Sequence, residues 1–310
     1  LVEEGLAVYL DNKCDGIVAF GGGSAMDCAK AIGARVVRPK KTVNQMKGLL
    51  KVGRKLPPFF AVPTTAGTGS ECTVCAVITD GDTRDKYAIN DFSLIPHYAV
   101  VDPTLTVGLP PFLTATTGMD ALTHAVESYI GRENTAETRK NAEEAAKLIF
   151  DNLLIATTEG KNLQARQNMQ RAAYLAGLAF TRAYVGYVHA LAHAVGGTYN
   201  TAHGLANAVL LPRVLEAYGK SAYKKLAKLA RITHVAATED DNATAAKKFI
   251  AALDELNRRT GIPDKLVDLK RDDIAALARH ADKEANPLYP VPKEMNATEL
   301  AEIYKKVLAE

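Results

Sequence analysis

The sequence predicts two domains of different class, an α/β N-terminal domain over residues 1–108 and an all-α C-terminal domain over residues 109–310. Three observations carry this reading. Short apolar runs bounded by Gly, Pro and Asp occur only before about residue 107. Helical periodicity takes over after it, punctuated by Pro and Gly. A run of three glycines separates the first strand-like segment from a strongly helical one, the layout of a βα unit.

The elements follow in order. LVEEGLAVYLDNK reads as a helix and starts without Met, which we take as an abrupt, truncated beginning. DGIVAF (15–20) ends at the glycines and has the continuous apolar character of a buried parallel strand. SAMDCAKAIGARVV has helical spacing. PPFFAVPTT (57–65) is a second strand ending in a polar loop, and CTVCAVITDGDTRDKYAIN reads as two strands joined by a Gly-containing turn. YAVVD (98–102) is expected to be a last buried strand. Beyond GLPP the helices are FLTATTGMDALTHAVESYI, TRKNAEEAAKLIFDNLL, NLQARQNMQRAAYLAGLAF, HALAHAVGG, SAYKKLAKLARI, ATAAKKFIAALDELNRRTG and ATELAEIYKKVLA, with a further helix starting beside His203.

Composition limits the function classes. The net charge is +3, with 47% apolar and 24% charged residues, as in an ordinary globular chain. The lysines and arginines read as spread along the chain, so no nucleic-acid or anionic-membrane partner is expected. No apolar run is long enough to span a bilayer, and no secretory signal opens the chain. Four cysteines in so long a chain fit reduced thiols in the cytoplasm. Cys72 and Cys75 form one CxxC pair without a second pair or nearby histidines, and are expected to be buried thiols instead of zinc ligands.

Two loops suit a phosphate-bearing ligand. AFGGGSAMDCAK places glycines between a strand and a helix, where open N–H groups and the helix dipole attract an anion. Ser24 could donate or cap, and Asp27 favours the dipole. The run is not GxGxxG, so a plain glycine-rich turn is the competing reading. PTTAGTGSE (63–71) offers Thr64, Thr65, Thr68 and Ser70 at the end of another strand, where ligands of open α/β sheets collect.

The histidines point to a metal. Asp120 and His124 are four residues apart in GMDALTHAVE, as are His189 and His193 in HALAHAVGG, so each pair shares a helix face. His203 follows at the head of the next helix. A lone His on an apolar helix is usually a satisfied core residue. Four of them beside an Asp, on Ala- and Leu-rich helices, would leave costly buried polar groups unless a cation engaged them. One carboxylate with imidazoles suits Fe²⁺ or Zn²⁺, and a surplus histidine could serve the chemistry. His97 and His234 fit no such pattern, and His280 reads as an exposed helix residue.

These residues resemble the iron-activated (group III) alcohol dehydrogenases. GGGSAMDCAKAIG, PTTAGTGSE, KYAI, GMDALTHAVESYI and HALAHAVGGTYNTAHGLANAVLLP match in the family's order and cover nearly the whole chain. The resemblance implies a Rossmann-like dinucleotide-binding domain, its sheet incomplete because the family's preceding βα units are absent here, and an all-α metal-binding domain. It implies that Asp120, His124, His189 and His203 bind Fe²⁺, with Zn²⁺ the other candidate, and that His193 assists catalysis. Gly22, Gly23, Ser24 and Asp27 match the pyrophosphate turn, Thr64, Thr65 and Thr68 the loop lining the cofactor, and Lys86 a lysine close to it. The cofactor is NAD or NADP, the reaction is hydride transfer between a small primary alcohol or diol and its aldehyde, and homo-oligomers, dimers or larger, are expected. Two departures stand out: Ala202 replaces the usual Pro before the last metal histidine, and the segment 285–295 is longer than the family pattern suggests. Rival readings are a metal- and NAD-using lyase of the dehydroquinate synthase type, which would need clustered Arg and Lys near the metal, a glycerol dehydrogenase, and a metal-binding chain without a working cofactor site.

Overall fold

The computed structural model describes residues 1–81 and 86–309, so the expected Gly-containing turn lies outside the described residues beyond Gly81. Its strands all precede residue 100 and its long helices follow residue 110. Helix α1 (Val2–Asp11) lies on α2 (Gly23–Val37), which leaves the glycine run directly after β1 (Ile17–Gly21). β1 pairs in parallel with β3 (Phe59–Pro63), which pairs in parallel with β6 (Tyr98–Ala99). A second sheet has the order β2 (Gly48–Leu49), β5 (Lys86–Asn90), β4 (Cys75–Thr79), with β4 and β5 antiparallel as expected for that segment.

The alternation along β1 and β3 shows what α2 covers. Ala19, Phe59 and Ala61 are buried with Met26, Ala29 and Ala34 of α2, whereas Val18, Phe20 and Tyr98 are each more than half exposed. The expected buried strands at 15–20 and 98–102 are therefore buried on one face at most. The 98–102 expectation is corrected further: β6 pairs over two residues and Val100 and Val101 stay accessible, because an apolar run shows that a segment can be buried, not that a neighbour is present on both sides. Lys30, at the centre of α2, is completely buried and donates to the Thr73 and Cys75 carbonyls and to Thr73 Oγ1 at 2.8–3.1 Å, which joins α2 to the second sheet.

The helical part comprises α3 (Pro111–Ile130), α4 (Ala136–Thr158), α5 (Leu163–Ala183), α6 (Tyr187–Tyr199), α7 (His203–Tyr218), α8 (Lys220–Ile232), α9 (Asn242–Arg259), α10 (Ile274–Ala285) and α11 (Ala297–Val307). α3 is buried almost all round from Thr114 to Ile130, as a helix surrounded by others must be. α4, α5 and α7 enclose it. The core here runs from Leu122 and Val126 through Leu191 and Leu210 to Phe249 and Tyr304, separate from the smaller core around Met26, Phe59 and Ile89. α10 carries His280, which is exposed on a helix as expected, but the extent of that helix was not anticipated. Its buried Ile274, Leu277, Ala278, Ala281 and Ala285 keep helical spacing, but three of these five are alanines and the apolar signal is faint. The segment after α10 docks on α6, where the Tyr187 hydroxyl lies 2.6 Å from Asn286 Oδ1 and 3.0 Å from the Met295 carbonyl.

Candidate active site

Three helices and two loops converge. α3 brings Asp120 and His124, the first half of α6 brings His189 and His193, and the first residue of α7 is His203. The close approach of α7 to α3 depends on Gly204: a Cβ there would lie 2.3 Å from the Thr116 carbonyl oxygen. Asp120, His189 and His203 each place one ligand atom so that all three lie within 4.8 Å of one another, the convergence a divalent cation needs. Asn207, one turn into α7, aims its amide nitrogen at this centre, 2.7 Å from Asp120 Oδ1, 3.1 Å from His203 Nε2 and 3.4 Å from His189 Nε2. Three lone pairs thus face one donor, while Asn207 Oδ1 is buried without a partner. That donor set and that orphaned oxygen fit a cation site.

His124 stands apart from this trio. Its ring lies between Phe180 and His189, with centroids 4.2 and 4.5 Å away, and its Nδ1 is buried without a hydrogen-bond partner. The structure therefore brings three of the four expected ligands together and sets the fourth alongside. His193 lies on the open side, its ring stacked at 5.2 Å on His203 and its Nδ1 2.7 Å from Glu284 Oε1. Tyr289 donates to the same oxygen at 2.8 Å.

The electrostatics follow from burial. Desolvation holds His124 and His189 below the usual imidazole range, so both are neutral and able to offer lone pairs. Burial would lower His193 too, but the Glu284 carboxylate outweighs it and raises that imidazole. Burial likewise pushes Glu127 up to about 7, against the pull of the Gly186, Val188 and His189 N–H groups. Glu127 and Glu284 are functional candidates that the sequence reading missed. An acidic residue three positions after His124 on an otherwise apolar helix was the signal available for the first; nothing in the sequence linked α10 to His193.

The two loops pack on each other and on the helices. A Cβ at Gly23 would meet Thr68 at 2.7 Å, one at Gly22 would meet Thr65 at 3.3 Å, and one at Gly67 would meet Thr117 of α3 at 2.7 Å. Close packing is therefore a role of these glycines whatever ligand they serve. Gly22 caps α2 without a side-chain bond, leaving that end of the helix open. Ser24 is exposed beside it. Asp27 is engaged structurally, accepting from Ser70 Oγ at 2.7 Å and from the Val77 N–H at 3.0 Å, so it joins the loops instead of facing outward. Thr64 continues the β3 edge, its N–H donating to the Gly21 carbonyl. Lys86, at the start of β5, is exposed; burial pushes His203 down to about 4, and the Lys86 charge adds a small effect in the same direction. All four cysteines are free; Cys72 is buried and Cys75 partly so, and among the described residues neither belongs to a metal-ligand group.

Comparison with known proteins gives one answer over both parts. Residues 1–103 match the family model for iron-containing alcohol dehydrogenase, and residues 114–308 match the model for the C-terminal part of the Fe-containing alcohol dehydrogenase family. The chain is 43% identical to the 1,3-propanediol dehydrogenase of Klebsiella pneumoniae, over 98% of this chain and 79% of that protein. It is 38% identical to the NAD-dependent methanol dehydrogenase of Bacillus methanolicus, over 99% and 81%. A crystal structure of a 1,3-propanediol oxidoreductase superposes with a TM-score of 0.95 at 42% identity, covering 99% of this chain and 80% of that one. The chain belongs to the iron-containing alcohol dehydrogenase family, and its activity is that of an alcohol oxidoreductase.

Proposed function

We propose that this protein interconverts a small primary alcohol or diol and its aldehyde, using a divalent cation held by Asp120, His189 and His203 with His124 alongside, and a nicotinamide dinucleotide held across the two glycine loops. The observation that carries the proposal is the convergence of three ligand atoms within 4.8 Å at the junction between the loops and the helices. Fe²⁺ is the preferred ion on the family relationship and Zn²⁺ suits the same donors. The chemistry supplied by the bound groups is Lewis-acid lowering of the alcohol pKa and acceptance of hydride.

The protein's own residues supply position and proton handling. Neutral His189 presents a lone pair without a proton to lose first, beside the carboxyl oxygens of Asp120. His193 holds Nδ1 on Glu284, which keeps Nε2 for exchanging a proton, and its partial exposure gives that proton a route to solvent. Gly22, Gly23 and Ser24 at the open end of α2 receive the pyrophosphate, Thr64, Thr65 and Thr68 line the dinucleotide, and Lys86 adds a nearby positive charge; Asp27 supports this arrangement through Ser70. NAD is supported by the name of the methanol dehydrogenase relative, and NADP is the alternative. Relatives named for 1,3-propanediol and methanol support a short substrate. The free cysteines fit a cytoplasmic setting, and the accessible apolar face of the first sheet fits a homo-oligomer. The division at residues 108 and 109 into cofactor and metal domains completes the reading.

The test is turnover of a panel of short alcohols and aldehydes with NAD and NADP by the wild type and by His189→Ala, with metal content measured on both. The variant is expected to lose at least about 100-fold in kcat/KM together with its metal. Unchanged turnover with metal still bound would reject the assignment.

A further inference from the structure

Glu127 lies inside the α3–α6 junction, 3% exposed, and has no place in the ligand set above. One carboxylate oxygen accepts the N–H of Val188 at 2.8 Å; the other lies 2.6 Å from His189 Nδ1. Val188 is the second residue of α6, whose N-cap, Gly186, brings no side-chain cap. Glu127 therefore caps α6 from another helix, satisfying one of the amides a helix start leaves open. Gly186 is required for this approach, since a Cβ there would stand 2.7 Å from Glu127 Oε1.

From this we infer that Glu127 is the positioning residue of the metal centre. It holds His189 in the tautomer that carries the proton on Nδ1, so that Nε2 faces Asp120 and His203 as a lone pair. α3 then carries two candidate ligands and, one turn beyond His124, the carboxylate that aims a ligand on α6. Charge supports the same assignment. Among the described residues, the ion-pair partners of Asp120 and Glu127 are imidazoles, with no lysine or arginine. A bound dication would offset both buried carboxyl groups. A neutral amide at position 127 reverses the hydrogen bond: it would donate to Nδ1 and drive the proton to Nε2, where the lone pair is needed.

The inference rests on the metal site proposed above, and the experiment separates the two. Metal-stripped wild type, Glu127→Gln, Gly186→Ala and His189→Ala are titrated with Co²⁺ at fixed pH against a chromophoric chelator, and the d–d spectrum and the thermal unfolding of each metal-free protein are recorded. Wild type binds about one ion. Glu127→Gln keeps an oxygen for the Val188 N–H, unfolds near the wild-type temperature, and binds Co²⁺ about 10–100-fold more weakly with an altered spectrum. Gly186→Ala, which keeps the carboxylate but displaces it, weakens binding in the same direction. Wild-type affinity and spectrum in Glu127→Gln, or losses that merely follow the stability of the metal-free proteins, overturn the inference while leaving the site intact. No binding by the wild type removes the site and the inference together.

Discussion

Glu71 shows how a single buried carboxyl can be read independently of the metal. It sits in the threonine–glycine loop, 4% exposed, and burial pushes its pKa from 4.5 up to about 7 against weaker opposing effects of its own N–H and Lys30. A raised carboxyl pKa means that the folded state binds a proton the unfolded chain has already released. Its contribution to stability is complete below about pH 4.5 and is lost as pH rises to about 7. Glu71→Gln should therefore match the wild type near pH 4 and gain up to about 3 kcal/mol relative to it at pH 8, measured by denaturant unfolding at both pH values. An equal gain at the two pH values would contradict this account. At this scale the sequence showed which residues could bind a metal, because Asp and His at helical spacing on apolar helices are few. It did not show their partners. Glu127 and Asn207 lie within matched motifs that name no partner for them, and Glu284 lies ninety-one positions from His193. Such pairs are set by packing and not by local spacing.

The elements meet where glycine removes a side chain, and two glycines give opposite predictions. Gly69 has φ of +63°, and a Cβ there would lie 2.7 Å from Cα of Gly177 on α5. Gly69→Ala should cost about 2 kcal/mol or more, from the left-handed backbone and from a backbone contact that cannot move aside. Gly197, near the end of α6, would meet nothing within 4 Å. Replacing it with Ala should stabilise by about 0.5–1 kcal/mol through helix propensity. Thermal melts of both variants check the pair; a harmless Gly69→Ala would contradict the close packing of loop on helix. Long helices, such as α3 to α5, were legible in the sequence. The short length of the strand at 98–102 and the extent of α10 were not, the first because its pairing with β3 covers only two residues, the second because alanine gives a weak apolar signal while still filling a tight helix interface.

On the scale of the whole molecule, two cores meet at one site. The smaller is built on α2 and the two sheets, the larger on the helices, and the candidate ligands sit on α3, α6 and α7 of the larger. A cation gripped there adds a further link among three helices already joined by packing and by the hydrogen bonds of Asn207 and Glu127. Binding to the folded state alone adds stability by mass action, about 4 kcal/mol at a thousandfold excess over Kd. Removing the metal should lower the melting temperature by several degrees, and restoring it should reverse the change. The change of class near residue 110 was visible in the sequence because strand and helix periods differ along a chain. The exposed apolar face of the first sheet was not, since a strand pattern does not record what covers it.

The central claim is that Asp120, His189 and His203 form one cation site. Its most direct measurement is the metal content of wild type and Asp120→Ala after both are stripped, equilibrated with the same Fe²⁺ or Zn²⁺ solution and freed of unbound ion. The account predicts about one tightly held ion per wild-type chain and almost none in the variant. Equal loading of the two would contradict it.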